Sequence, residues 1–131
     1  MQRSLPAKPA PEPMQVVLGA AYERTVDEAV AYLVGLGADA AAQALLDKAY
    51  EALPERLLLA PRIGRNFIVR NPQTPEVRAV WEAARASLGN DIELREYILD
   101  DYLVLYAIHG DCIHLLTLRH HRQCGFDLSE G

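Results

Sequence analysis

The chain has 131 residues, half of them hydrophobic and 24% charged, with a formal net charge of −5 and a pI near 5.3. That is enough for one domain with one apolar core, and the acidic balance argues against a general nucleic-acid binder, whose usual footprint is basic, while leaving room for a local cationic patch. Cys112 and Cys124 match no zinc or redox spacing. No apolar run approaches the roughly 20 residues of a membrane span, and no signal-peptide core opens the chain, so a soluble, cytoplasmic protein is expected.

The first stretch, "MQRSLPAKPAPEP", carries Pro6, Pro9, Pro11 and Pro13. It cannot be a helix and has little to bury, so residues 1–13 are expected to form a disordered Pro-rich tail ahead of a domain at 14–131. Met14, directly after it, is a second candidate start. "MQVVLGAAY" reads as a short strand ending near Gly19. "TVDEAVAYLVGLG" reads as a helix, with Thr25 or Asp27 as cap and Val26, Ala29, Val30, Leu33 and Val34 on one side. A second helix begins near Asp39, the candidate cap, with Ala42, Leu45, Leu46, Ala49 and Leu53 as its buried stripe; Pro54 ends or kinks it. The two helices form an antiparallel hairpin. "APRIGRNFIVRNPQTP" reads as loop, and residues 76–88 as a third helix with Val77, Val80, Trp81, Ala84 and Leu88 inward.

The period then changes from 3.6 to 2. "IELREYIL" alternates. "DYLVLYAI" is almost continuously apolar, as a central strand would be. "HGD" is a tight turn with Gly110 supplying a positive φ, and "CIHLLTL" is the partner strand. Three strands in a meander, a first strand joining at an edge, and helices on one face of a mostly antiparallel sheet make an α+β domain.

The chemistry-bearing residues gather where the last strand ends. Arg119, His120, His121 and Arg122 are consecutive in a chain that is otherwise acidic. Strand residues alternate faces, so Arg119 pairs with His121, or His120 with Arg122; the competing reading is a solvated strand end. Arg62 and Arg65, around Gly64, suit a phosphate or target contact helped by loop amides, against a plain helix-to-sheet turn. Gly64 itself reads as a backbone requirement. Cys112 and His114 share a strand face, and His109, His120 and His121 are near in sequence, but no third ligand has a suitable spacing, so no metal and no cofactor is expected. Asp100 and Asp101 read as turn residues, Trp81 as core, and Tyr97, Tyr102 and Tyr106 as sheet packing.

The order of elements and four stretches resemble the RelE/ParE family, the toxin halves of type II toxin–antitoxin modules. "AAQALLDKAYEALPERLLLAPRIGR" resembles the family's second helix running into a P-x-x-G-R turn at Pro61, Gly64 and Arg65. "LREYILDDYLVLYAI" resembles its central strand pair, "HGDCIHLLTL" its hairpin, and "LRHHRQCGF" its strand end. The likeness covers roughly 14–70 and 92–127; the helix at 76–88 stands where relatives have a short loop, as an insertion. The resemblance implies a RelE/ParE-like fold and a growth-arresting, plasmid-stabilization type of toxin, neutralised by a cognate antitoxin, as a homodimer or a toxin–antitoxin hetero-oligomer. Its target would be DNA gyrase, without chemistry of its own, or the ribosome, as an mRNA endonuclease. The nuclease branch resembles itself in an arginine inside the central strand, cations at the last strand's end, and a terminal tyrosine or histidine. Here those places hold Leu103, the cluster Arg119–Arg122, and Phe126 with no hydroxyl. The gyrase-directed mode is therefore slightly favoured. In the nuclease alternative, His120 or His121 would be base or acid, and Arg95, Arg119 and Arg122 would stabilise the transition state. A degenerate, non-toxic binding module is the third reading. The deciding expectation is whether Arg95 shares a face with the strand-end cluster.

Overall fold

The computed structural model describes residues 14–71 and 74–120. Its frame is a five-stranded mixed sheet. β1 (Gln15–Leu18) lies at one edge, parallel to β5 (Cys112–His120). β4 (Tyr102–His109), β3 (Glu93–Leu99) and the short β2 (Arg65–Asn66) follow in antiparallel succession. The α+β class, the three-stranded meander and the edge position of the first strand agree with the sequence reading. Gly110 closes the β4–β5 turn at φ 61°. The expected tail at 1–13, and His121 and Arg122, lie outside the described residues.

Helix α1 (Ala20–Gly35) begins five residues before Thr25, immediately after extended Gly19. Neither Thr25 nor Asp27 caps it. Thr25 sits inside, donating from Oγ1 to the Ala21 and Tyr22 carbonyls and accepting the Leu118 N–H at 3.0 Å. Asp39 is likewise the first residue of α2 (Asp39–Asp47), and Ala38 holds the cap position. α2 passes through a π-helical turn (Lys48–Ala52) into α3 (Leu53–Leu59) without stopping. Pro54 explains the widening. It has no N–H to offer the Tyr50 carbonyl, and the ladder shifts so that Leu53 N–H bonds the Lys48 carbonyl. The Ala49 carbonyl, which Leu53 would take in an α-helix, accepts the buried Tyr22 hydroxyl at 2.8 Å.

The segment expected to be loop contains β2 and a single turn, α4 (Phe67–Arg70), capped by Asn66 Oδ1 accepting from Val69 N–H. α5 (Pro75–Leu88) starts one residue earlier than expected, with Thr74 Oγ1 accepting from Val77 N–H and Pro75 at the first turn.

The helices do not all lie on one face. The hairpin of α1 with α2–α3 packs Tyr22, Val26, Leu45 and Leu53 against Val104, Tyr106, Ile113 and Leu115. α5 covers part of the opposite face, where Ala84 meets Leu94 and Ala107, with Val80, Trp81 and Leu88 around them. The physical reason is in β4: it is apolar at both parities, so both faces need cover. Arg85 lies over the Trp81 ring, 5.6 Å from its centroid, which leaves Trp81 as a wall of this smaller core.

One irregularity sets where β5 aims its last residues. β5 supplies Leu116 and Thr117 where β4 supplies Leu105 alone, a bulge between Leu105 and Tyr106. Ile113 and Leu115 face the helix hairpin before the bulge; Leu118 faces it afterwards.

Candidate functional site

α5 covers only the end of its face near Leu94, Ala107 and Leu116. The rest of that face, toward the β3–β4 turn, presents two cross-strand rows: Glu96–Leu105–Thr117 and Ile98–Leu103–Arg119. Glu96 is 6% exposed, the one buried charged residue among those described. Its Oε1 accepts from Arg65 Nη2 at 3.0 Å, and its Oε2 from Asn71 Nδ2 at 3.2 Å. Asn71 is itself held by donating to the Phe67 carbonyl at 2.7 Å. Arg65 stands directly across from Glu96 in the β2–β3 register, so the pair is built by the ladder itself. Arg65 Nε is buried and has no hydrogen-bond partner among the described residues, which leaves a donor on this face seeking an acceptor.

Arg95 faces the other way. It stands opposite Tyr106, whose ring is buried under the helix hairpin. Its Nε donates to the Gly64 carbonyl at 2.8 Å, and its Nη1 pairs with Glu93. Arg62 Nε reaches the same Glu93 carboxylate at 2.9 Å. The Tyr106 hydroxyl completes this clamp, donating to the Pro61 carbonyl at 2.7 Å and accepting from Gly64 N–H at 3.0 Å. Burial pushes the Tyr106 hydroxyl pKa up; the Gly64 N–H and Arg95 pull partly against it. A Cβ at Gly64 would lie 2.6 Å from the Glu96 carbonyl oxygen, so the glycine is demanded by close backbone approach.

The sequence-predicted residues therefore divide. Arg65 and Arg119 share the face that α5 half covers. Arg62 and Arg95 belong to the loop clamp at Glu93. His120 points to the hairpin side, its ring edge-on to Tyr102 at 5.4 Å. Arg119 and His120 are thus separated by the sheet, and Arg95 lies on the face opposite Arg119. His121 and Arg122 lie outside the described residues. Glu96 and Asn71 escaped the sequence reading. Glu96 left one signal: in "LREYI" it occupies an inward parity between apolar Leu94 and Ile98, where a carboxylate needs a partner.

No family model matches this chain, and no curated protein matches it.

At the far end of the β4–β5 hairpin, His109 and His114 approach at 6.4 Å between ring centroids. Burial, then the neighbouring His109, lowers the His114 pKa, which favours its neutral imidazole. Among the described residues no three His, Cys, Asp or Glu side chains are placed to hold a metal ion, and no helix is long and apolar enough to cross a membrane.

Among the described residues, the open sheet face sets Arg65 and Arg119 beside an apolar strip of Ile98 and Leu103. It can seat an acidic or phosphorylated surface. Among the described residues, the carboxylate on this face is Glu96, whose two oxygens are already engaged.

Proposed function

We propose that this chain is a toxin of the RelE/ParE type, neutralised by a cognate antitoxin, and that it acts by gripping its target rather than by cutting RNA. DNA gyrase is the target this reading favours. The order of strand, helix hairpin and three-stranded meander supports the family reading, as do the four stretches that resemble it. The choice of mode is carried by one observation: Arg95 is anchored to Gly64 and Glu93 on the opposite face from Arg119. Transition-state stabilisation requires donors converging on one developing charge, and these two cannot converge.

A ribosome-dependent mRNA endonuclease is the second reading, and the Glu96–Arg65 pair on the same face as Arg119 favours it. Regulated expression in bacteria tests both, with and without the neighbouring gene, beside a variant in which Arg119, His120 and Arg122 are changed to Ala. Arrest rescued by the neighbour and abolished by the triple change supports a toxin whose site is at this strand end. DNA-damage signalling in the arrested cells supports the gyrase mode, and fragmented mRNA the nuclease mode. Healthy growth with abundant folded protein supports a non-toxic binding module instead.

A further inference from the structure

The clamp at Glu93 holds an imbalance of charge. Arg62 Nε donates to both Glu93 oxygens, at 2.9 and 3.0 Å, and Arg95 Nη1 donates to Oε2. Two guanidinium groups therefore share one carboxylate, on a chain whose net charge is −5. The third cation of this corner, Arg65, is turned to Glu96 and takes no part. Arg62 engages Glu93 through Nε alone, so its Nη1 and Nη2 groups have no hydrogen-bond partner among the described residues. Arginines converging on an oxyanion are an arrangement that recognises phosphate, because a planar guanidinium offers it two parallel N–H donors. Here the oxyanion is the protein's own.

The three side chains differ in freedom. Arg95 is 16% exposed, and its Nε is fixed to the Gly64 carbonyl. Gly64 is fixed in turn, through its N–H, to the Tyr106 hydroxyl, which also bonds the Pro61 carbonyl. Arg62 is 65% exposed and Glu93 29%. One guanidinium is thus preorganised, while the other and the carboxylate reach water. Glu93 is also the first residue of β3, and a rotation of its side chain toward water leaves the backbone ladder intact. The occupant can leave without disturbing the seat.

We propose that Glu93 is the resident occupant of a phosphate seat formed by Arg62 and Arg95, and that a dianionic phosphate, free or as a monoester, displaces it. A dianion matches both guanidinium charges, where the carboxylate matches one. Binding must outcompete a tethered group, whose effective concentration is on the order of millimolar or above. The second negative charge supplies that advantage. A nucleic-acid backbone lacks it, because each phosphodiester is a monoanion like Glu93. Repulsion by the rest of the acidic chain is screened beyond about 10 Å at ordinary salt, whereas contact pairs are screened much less. The seat is therefore self-blocked, closed by Glu93 when phosphate is scarce and opened when it is abundant. The proposal does not depend on the toxin reading.

Titration of the full chain with inorganic phosphate at constant ionic strength, read by backbone and arginine N–H NMR shifts, tests it. The expected result is saturable shifts at Arg62, Gly64 and Arg95. Glu93→Gln, which removes the competing charge, should lower the phosphate Kd by about tenfold. Arg62→Gln added to it should cancel that gain, and Arg78→Gln, at an exposed α5 position, should leave it intact. Phosphoserine run beside inorganic phosphate tells a monoester from the free ion as the preferred form. Dimethyl phosphate, a monoanion, should bind far more weakly than the tighter of the two. No saturable binding by the wild-type chain, an equal or higher Kd in Glu93→Gln, or a gain that survives Arg62→Gln overturns the proposal. So does dimethyl phosphate binding as tightly as inorganic phosphate, which would assign the seat to nucleic acid. If Glu93→Gln fails to fold, wild-type binding that is unchanged by Arg62→Gln overturns it alone.

Discussion

Under the helix hairpin, thirteen buried side chains from α1, the α2–α3 run and the meander close one continuous core. On the opposite face the cluster under α5 has three buried members, Ala84, Leu94 and Ala107, and the next row of the same face carries Glu96 and its partners. One face is held by apolar area, which is non-directional and tolerant of small shifts. The other mixes a thin apolar contact with directional polar bonds, which fail when one partner is lost. The difference teaches where the molecule keeps its stability and where it presents its chemistry.

The sharpest way to break this comparison is truncation on each side. Leu115→Ala on the hairpin face should cost about 3 kcal/mol by urea denaturation, and Leu105→Ala on the α5 face about 1 kcal/mol, because its site is half open and can relax. Equal losses would mean that both faces carry the fold alike. Glu96→Ala comes next, at about 2 kcal/mol. Removing one member of a buried pair is costly, but Arg65 is partly exposed and regains water. Glu96→Gln, which keeps one acceptor oxygen for Arg65 but turns its NH2 toward the Asn71 donor, should still lose less than Glu96→Ala. Thr25→Val should cost about 1 kcal/mol, since the Leu118 N–H then lacks its acceptor on the hairpin side.

Amide exchange sharpens the same contrast without mutation. Amides of α5 should open at lower free energy than those of α1, through local rather than global unfolding. The smallest effect is a pH slope. The His114 pKa in the folded chain lies below its ordinary 6.5, so between these values the unfolded chain binds more protons. Stability should therefore fall as pH drops through 6.5 toward the lowered value, and His114→Gln should flatten that slope. An unchanged slope in the variant would place the effect elsewhere.

Much of this architecture is legible in the sequence. Helices α1, α2 and α5 and the three meander strands each repeat their apolar residues often enough to declare a period. β2 is too short to show alternation, and α4 is a single turn whose cap, Asn66, sits inside what reads as loop. The start of α1 is not legible because Thr25 resembles a cap in sequence, whereas its hydroxyl serves a backbone group 93 positions away. The α5 face was missed for a related reason: a strand apolar at both parities demands two covers but does not say which helix supplies the second. The cationic strand end was visible as composition. Its division between two faces follows from alternation; which face Arg119 takes does not, because that depends on a bulge with no local signature.

That bulge has a consequence for how the protein can change over generations. Parity along β5 is reset at Leu116, so Arg119 stands on one side of the sheet and His120 on the other. Loss of the single codon for Leu116 would restore regular pairing without exchanging the two, because Leu115 already stands opposite Tyr106 and Thr117 opposite Leu105. A lineage carrying this fold can thus gain or lose the bulged residue without re-aiming its cationic strand end.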